Sequence, residues 1–238
     1  MNKIIFGVNM ENLTVLSVGG SIIAPDKVDY DFLRNFYKAV KQYLDEDKTR
    51  KLIIVTGGGA PARIYQEAYR KVVDNPSSSE QDWLGIQATH LNGRLLCAIF
   101  AEYCTDPLVK NPTDDIAFSS QMLIAGGWKP GFSTDTDAVY LAEKFGSKTI
   151  VNLSNIEKVY TDDPKTNPEA VPLDTITWTD FRTMVGDTWI PGKNTPFDPV
   201  ASKEAEKESM KVICANGRDI ENTMAILEGR KFIGTTIG

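Results

Sequence analysis

The sequence predicts an α/β fold with a mostly parallel sheet covered by helices on both faces. Three observations carry that prediction. Short apolar runs of strand length alternate with segments of helical apolar spacing. Several of those runs end directly in glycine pairs or triplets. The chain, at 238 residues with 42% hydrophobic and 24% charged, is long enough to bury a sizeable core and shows no disordered composition.

The elements follow in order. Leu13–Val18 reads as a buried strand ending in Gly19-Gly20-Ser21. Phe32, Leu33, Phe36, Tyr37, Val40, Tyr43 and Leu44 then mark an amphipathic helix by their spacing. Leu52–Val55 is a second strand, running into Gly57-Gly58-Gly59, and a helix opens near Pro61, where proline suits the first turn. A further helix spans Trp83 to Tyr103, placing Cys97 and Cys104 on one face. Met122–Ala125 is a strand leading into Gly126-Gly127-Trp128-Lys129-Pro130-Gly131. Ser133-Thr134-Asp135 then supplies the hydroxyl and carboxylate that start a helix. Thr149–Leu153 and Lys211–Ala215 complete the predicted strands. Asp162–Pro172 and Gly186–Pro199 read as long surface loops of the kind that often act as lids. Lys203–Glu208 reads as a solvated helical face.

Composition narrows the function classes. Twenty-six Lys and Arg against 32 Asp and Glu leave a net charge of −6, with no basic stripe for nucleic acid. Only one histidine, His90, is present, so chemistry needing two is excluded; on a helix it is expected to pack or face solvent. Three cysteines cannot form a four-cysteine zinc site, and no metal site is expected from the protein itself. No apolar stretch approaches the roughly 20 residues needed to cross a bilayer. Met1–Asn12 lacks the pattern of a signal peptide, and a cytoplasmic protein without membrane or nucleic-acid partners is expected.

Glycine after a strand lets backbone approach a ligand closely, and the helix that follows directs free N–H groups at an anion. Three such loops in one parallel sheet would gather at a single edge, where ligands bind. The familiar phosphate patterns GxxxxGK[ST] and GxGxxG are both absent.

In order along the chain stand VGGS at Val18–Ser21, VTGGGAPAR at Val55–Arg63 and DWLGIQATHLN at Asp82–Asn92. GGWKPGFSTDTDA at Gly126–Ala138, NLSNIEKVYTDDPKTNPEA at Asn152–Ala170, DPVASK at Asp198–Lys203 and GTTI at Gly234–Ile237 follow. With this ordered set the chain resembles the amino acid kinase superfamily, and within it UMP kinases of the archaeal type. The resemblance implies the three-layer αβα sandwich of that fold, with an extension at 1–12, an acceptor half at 13–145 and an ATP-binding half at 146–238. It implies transfer of the ATP γ-phosphoryl to UMP with Mg²⁺, and a homohexamer.

The resemblance also implies roles for matched residues. Gly19, Gly20 and Ser21 would lie under the transferred phosphoryl, with Asp135 beside them. Gly57, Gly58 and Arg63 would hold the acceptor phosphate, Asp82 would contact its sugar, and Ser133 and Thr134 would join acceptor site to transfer centre. Asn155, Tyr160, Asp163 and Pro164 would flank adenine and ribose, and Lys203 would reach the ATP phosphates. Two departures stand out. Many relatives carry lysine where this chain has Ser17, leaving Lys129 and Lys193 as candidate replacements for its charge. His90 stands where archaeal UMP kinases usually have arginine. Ala60-Pro61-Ala62 after the glycine triplet argues against isopentenyl phosphate kinases, which have histidine there. The competing expectations are a non-catalytic nucleotide sensor or oxyanion store on the same fold, which Ser17 would favour, and a kinase with a different acidic acceptor.

Overall fold

Successive side chains of a strand point to opposite faces, and the central strands of this chain are apolar on both. The computed structural model describes residues 12–188 and 195–238. The predicted extension therefore lies, apart from Asn12, outside the described residues. The strands are β1 (Leu13–Val18), β2 (Lys51–Thr56), β3 (Met122–Ala125), β4 (Thr149–Ser154), β5 (Val159–Tyr160), β6 (Pro172–Leu173), β7 (Thr175–Ile176), β8 (Lys211–Asn216) and β9 (Thr235–Ile237). The helices are α1 (Gly20–Ile23), α2 (Tyr30–Glu46), α3 (Gly59–Val72), α4 (Ser78–Ile99), α5 (Thr134–Phe145), α6 (Trp178–Val185), α7 (Pro199–Lys207) and α8 (Ile220–Leu227).

Seven strands form one sheet in the order β3-β2-β1-β4-β8-β9-β7, parallel throughout except where β9 runs against β8. Strands β5 and β6 make a separate antiparallel pair. Val15, Ile53, Leu123 and Ile150 pack with α5, α6 and α7 on one face. Leu16, Leu52, Ile54, Val151 and Leu153 pack with α2, α4 and α8 on the other. This is the expected three-layer αβα arrangement. From β1 the chain adds β2 and β3 on one side and β4 and β8 on the other, so a topological switch lies between β1 and β4.

Two sequence expectations need correction. The helix predicted over Trp83–Tyr103 starts five residues earlier, because Ser77 accepts a hydrogen bond from the Glu80 amide and caps it. It ends at Ile99, so Cys104 does not share a helix face with Cys97, although both are buried. The Asp162–Pro172 segment is an exposed surface loop, as expected. Its ends are joined by Thr161 N–H to Val171 O at 3.0 Å and by the β5–β6 pair.

The glycine loops decide how the two central crossovers fit together. A side-chain Cβ at Gly20 would lie 1.9 Å from the Gly59 nitrogen, and one at Gly57 would lie 2.3 Å from the Gly20 nitrogen. Gly59 itself has φ +67°. The first two loops are therefore packed backbone against backbone. Gly20→Ala is expected to destabilise the fold by about 3 kcal/mol or more, since backbone cannot give way as a side chain can. A melting temperature within a few degrees of the parent protein would contradict this packing.

Candidate active site

The strand ends nearest the switch carry the residues that could do chemistry. Ser17, Asn152 and Cys214 are in register across β1, β4 and β8, and all three are buried. They belong to the sheet face packed by α5 and α7, because alternate residues share a face. Each touches a segment lying above it. Ser17 Oγ donates to Asp135 Oδ1 at 3.0 Å, and Asn152 Nδ2 donates to Pro196 O at 2.7 Å. Cys214 Sγ lies 3.8 Å from the same carbonyl.

Asp135 is the hub. It stands in the first turn of α5, which Ser133 starts by accepting a hydrogen bond from Thr136 N–H at 3.3 Å. While Oδ1 accepts from Ser17, Oδ2 accepts from the Asp198 amide at 3.2 Å. Asp198 in turn caps α7 by accepting from Val200 N–H at 2.8 Å and Ala201 N–H at 2.9 Å. One carboxylate therefore ties β1, the start of α5 and the start of α7 together. Burial first, and the neighbouring Asp198 charge second, push its pKa up to about 6.

Asp137, two residues on, is 1% exposed. Its Oδ2 accepts from Trp128 N–H at 3.1 Å, which docks the third glycine loop on α5, while its buried Oδ1 has no partner. Burial pushes its pKa up to about 7, with the Asp135 charge contributing and the Trp128 hydrogen bond opposing. His90 faces the same loop, half-buried, with Nε2 2.8 Å from Gly127 O. A carbonyl can only accept, so Nε2 carries the proton and Nδ1 is left a buried acceptor without a partner. Burial holds this imidazole below its ordinary pKa.

The residues expected to bind the acceptor spread along α3 and α4. Asn92 of α4 donates to Gly57 O at 2.7 Å and Gly58 O at 3.2 Å, fixing the second loop. Arg63 is exposed and donates through Nη2 to Pro25 O at 2.7 Å, one bond of its fork. Half-buried Asp82 accepts from Gly131 N–H at 3.0 Å and so anchors the Gly-Trp-Lys-Pro-Gly loop. Thr134 is the first residue of α5.

The residues expected to bind the donor are less organised. Asn155 is exposed just past β4, and Tyr160 is half-buried on β5. Asp163 and Pro164 form an exposed turn in which the Asp163 carboxylate accepts from Lys165 N–H at 2.9 Å. Lys203 is exposed on α7 and makes no ion pair among the described residues. Of the candidate replacements for a lysine at position 17, Lys129 lies with Nζ 3.7 Å from the Trp128 ring centroid and 4.7 Å from that of Phe132. Lys193 is outside the described residues.

A residue the sequence reading passed over stands at the fourth strand end. Arg218, after Gly217 and β8, donates through Nη2 to Ser21 O at 3.2 Å and pairs through Nη1 with Asp29 Oδ2 at 3.0 Å. The strand-end glycine that drew attention to the other loops is also present here, at Gly217.

A model of the amino acid kinase family matches residues 12–216. The chain belongs to that family. A uridylate kinase of Thermoplasma volcanium is 31% identical over 232 residues, covering 96% of this chain and 98% of the relative. One from Pyrococcus abyssi is 33% identical, covering 94% and 98%. The crystal structure of the uridylate kinase from Archaeoglobus fulgidus superposes with a TM-score of 0.80 at 28% identity, over 94% of this chain and 99% of that one. Family members are phosphotransferases in this part of the family, and this chain is an enzyme of that kind.

The two raised carboxyl groups make stability pH-dependent. Each holds a proton in the folded state at pH values where the unfolded chain, near its ordinary 3.8, has released it. Their contribution is full below pH 4 and is lost as pH rises through about 6 and about 7. Asp137→Asn, which keeps an acceptor for Trp128, is expected to gain on the parent protein by a few kcal/mol, to order of magnitude, between pH 5 and pH 8. Thermal melts showing the same difference at both pH values would refute the burial-driven shift.

Proposed function

We propose that this chain is a UMP kinase, transferring the ATP γ-phosphoryl to UMP to give UDP. The observation that carries the reading is the Asp135 link at the β1–β4 switch. It joins the first glycine loop's strand to the start of the helix bearing Lys203, where acceptor and donor would meet. The near full-length likeness to relatives named uridylate kinases supports the same substrate.

In this reading residues 13–145 bind the acceptor and 146–238 the donor. Gly57, Gly58 and Arg63 hold the UMP phosphate, since a guanidinium fork suits a dianion. Asp82 and the loop it anchors border the nucleoside, and Ser133 and Thr134 lead to the transfer centre. Gly19, Gly20 and Ser21 pass beneath the migrating group, and Asn155, Tyr160, Asp163 and Pro164 flank the ATP adenine and ribose. Lys203 extends from α7 to the phosphates. Attack is direct and in line, by a UMP phosphate oxygen already ionised at neutral pH, so no general base is needed. ATP brings Mg²⁺ as part of the substrate. Phosphate oxygens and water supply most ligands of such an ion.

A coupled ADP-release assay offering UMP, CMP, acetylglutamate, aspartate and isopentenyl phosphate in parallel tests the reading. Turnover with UMP is expected, and Arg63→Ala should raise the UMP KM about tenfold or more. Turnover only with another acceptor would discard UMP. Binding of ATP without any turnover would favour the sensor or storage reading.

We place the enzyme in the cytoplasm; among the described residues no helix is long and apolar enough to cross a membrane. We also propose a homo-oligomer, a hexamer by family analogy. Helix α3 buries only Ala60 and exposes Ile64, Tyr65 and Val72, with Leu91 exposed on the neighbouring α4. Val72, 82% exposed, has nothing to lose within one chain. Val72→Glu should therefore lower the sedimentation mass while leaving the melt of the dissociated chain unchanged. An unaltered mass would remove this face from the assembly.

A further inference from the structure

We infer, resting on the kinase reading, that Arg218 is a positioning residue for phosphoryl transfer, holding the first glycine loop to the donor half through the Ser21 carbonyl. The loop needs such a support. Helix α1 is four residues long and starts at Gly19 without a side-chain cap. Its known restraints lie behind it: Gly19 N–H donates to Leu153 O at 2.8 Å, and Gly20 rests on Gly59. Two arginines hold carbonyls of the segment from Ser21 to Pro25. Arg63 reaches Pro25 O from the acceptor half at 2.7 Å, and Arg218 reaches Ser21 O from the donor half at 3.2 Å.

The placement of Arg218 is built rather than incidental. A Cβ at Gly217 would lie 2.9 Å from Leu153 Cβ and 3.1 Å from Ile22 Cγ1, so the chain before Arg218 is pressed against β4 and α1. Gly217 N–H donates to Ser154 O at 2.9 Å, and Arg218 N–H donates to Asn216 Oδ1 at 3.0 Å. The guanidinium is aimed by Asp29, whose other oxygen caps α2 by accepting from Phe32 N–H at 3.0 Å. Those bonds, Phe32 first and Arg218 second, hold the Asp29 carboxyl below its ordinary pKa. The result is a fixed cation touching the first glycine loop in a chain that carries serine at position 17.

The test compares R218Q, R218K and D29N with the parent protein, measuring kcat and KM for UMP and ATP alongside thermal melts. R218Q is expected to lower kcat about tenfold or more, because a small misplacement of a loop under the reacting group is costly, with the UMP KM within about threefold. R218K, which keeps one charged donor, should recover part of that loss. D29N retains the α2 cap but removes the charge that aims the guanidinium, so its kcat should fall by less than that of R218Q, with a melting temperature within a few degrees of the parent protein. R218Q with unchanged kcat would overturn the inference, as would D29N losing as much kcat as R218Q with a matching fall in melting temperature. A parent protein that turns over UMP while R218Q is unaffected defeats this inference alone. A parent protein without UMP turnover defeats it together with the reading it rests on.

Discussion

The backbone of the first glycine loop lies directly on the backbone of the second, and the geometry of the candidate site depends on that contact. With Gly20 and Gly59 in place of any larger residue, β1 and β2 can end at the same level and their following helices can start side by side. The contact also explains why the loops are so rich in glycine. Gly57, Gly58 and Gly20 are required first by one another and by Ala62, whatever ligand they also face. Strand-end glycines thus serve two purposes at once. They let two loops meet, and they leave the start of each helix open at the sheet edge.

Charge at the centre is arranged unusually for phosphoryl transfer. The groups nearest the switch are buried Ser17 and Asp198, half-buried Asp135 and, further along α5, buried Asp137, all neutral or acidic. The cations stand at the rim: Arg63 on the Pro25 carbonyl, Arg218 on the Ser21 carbonyl, Lys203 exposed on α7 and Lys129 lying over two aromatic rings. A rim cation is well hydrated and can approach a phosphate at little cost, whereas a buried lysine would first have to be stripped of water. The pattern is consistent with a site that keeps its fixed carboxylates for positioning. It leaves the neutralising charge to side chains at the rim and to the nucleotide's own cation.

Much of this was legible in the sequence, for identifiable reasons. Parallel strands buried on both faces are continuous apolar runs, so β1, β2, β3, β4 and β8 stood out within a residue or so. The short strands did not. Pro172–Leu173, Thr175–Ile176 and Thr235–Ile237 are too brief to show a period, and α6 and α8 are helices of eight residues each. The candidate site residues come from glycine and family motifs, which mark backbone positions. Long-range partners leave no such mark. Nothing in the order of residues announces that Ser17 meets Asp135, 118 positions away, or that Arg218 meets Ser21, 197 positions away. Those pairings come from the strand order 2-1-4-8, which brings distant chain ends to one edge.

The Asp135 link shows why a serine can occupy position 17 without leaving the site disordered. A carboxylate held between two donors needs those donors more than it needs a full opposite charge. The Ser17 hydroxyl and the Asp198 amide provide them, and both act to lower its pKa against burial and the Asp198 charge. The balance falls at about 6, so the group is ionised at neutral pH and accepts from both sides. In that state the starts of α5 and α7 are held to β1 by one side chain. The start of α7 is thereby linked to α5 through Asp135, and the Gly126–Gly131 loop is linked to the same helix through Asp137. The serine supplies one of the two hydrogen bonds that hold this junction together, and the Asp198 amide supplies the other.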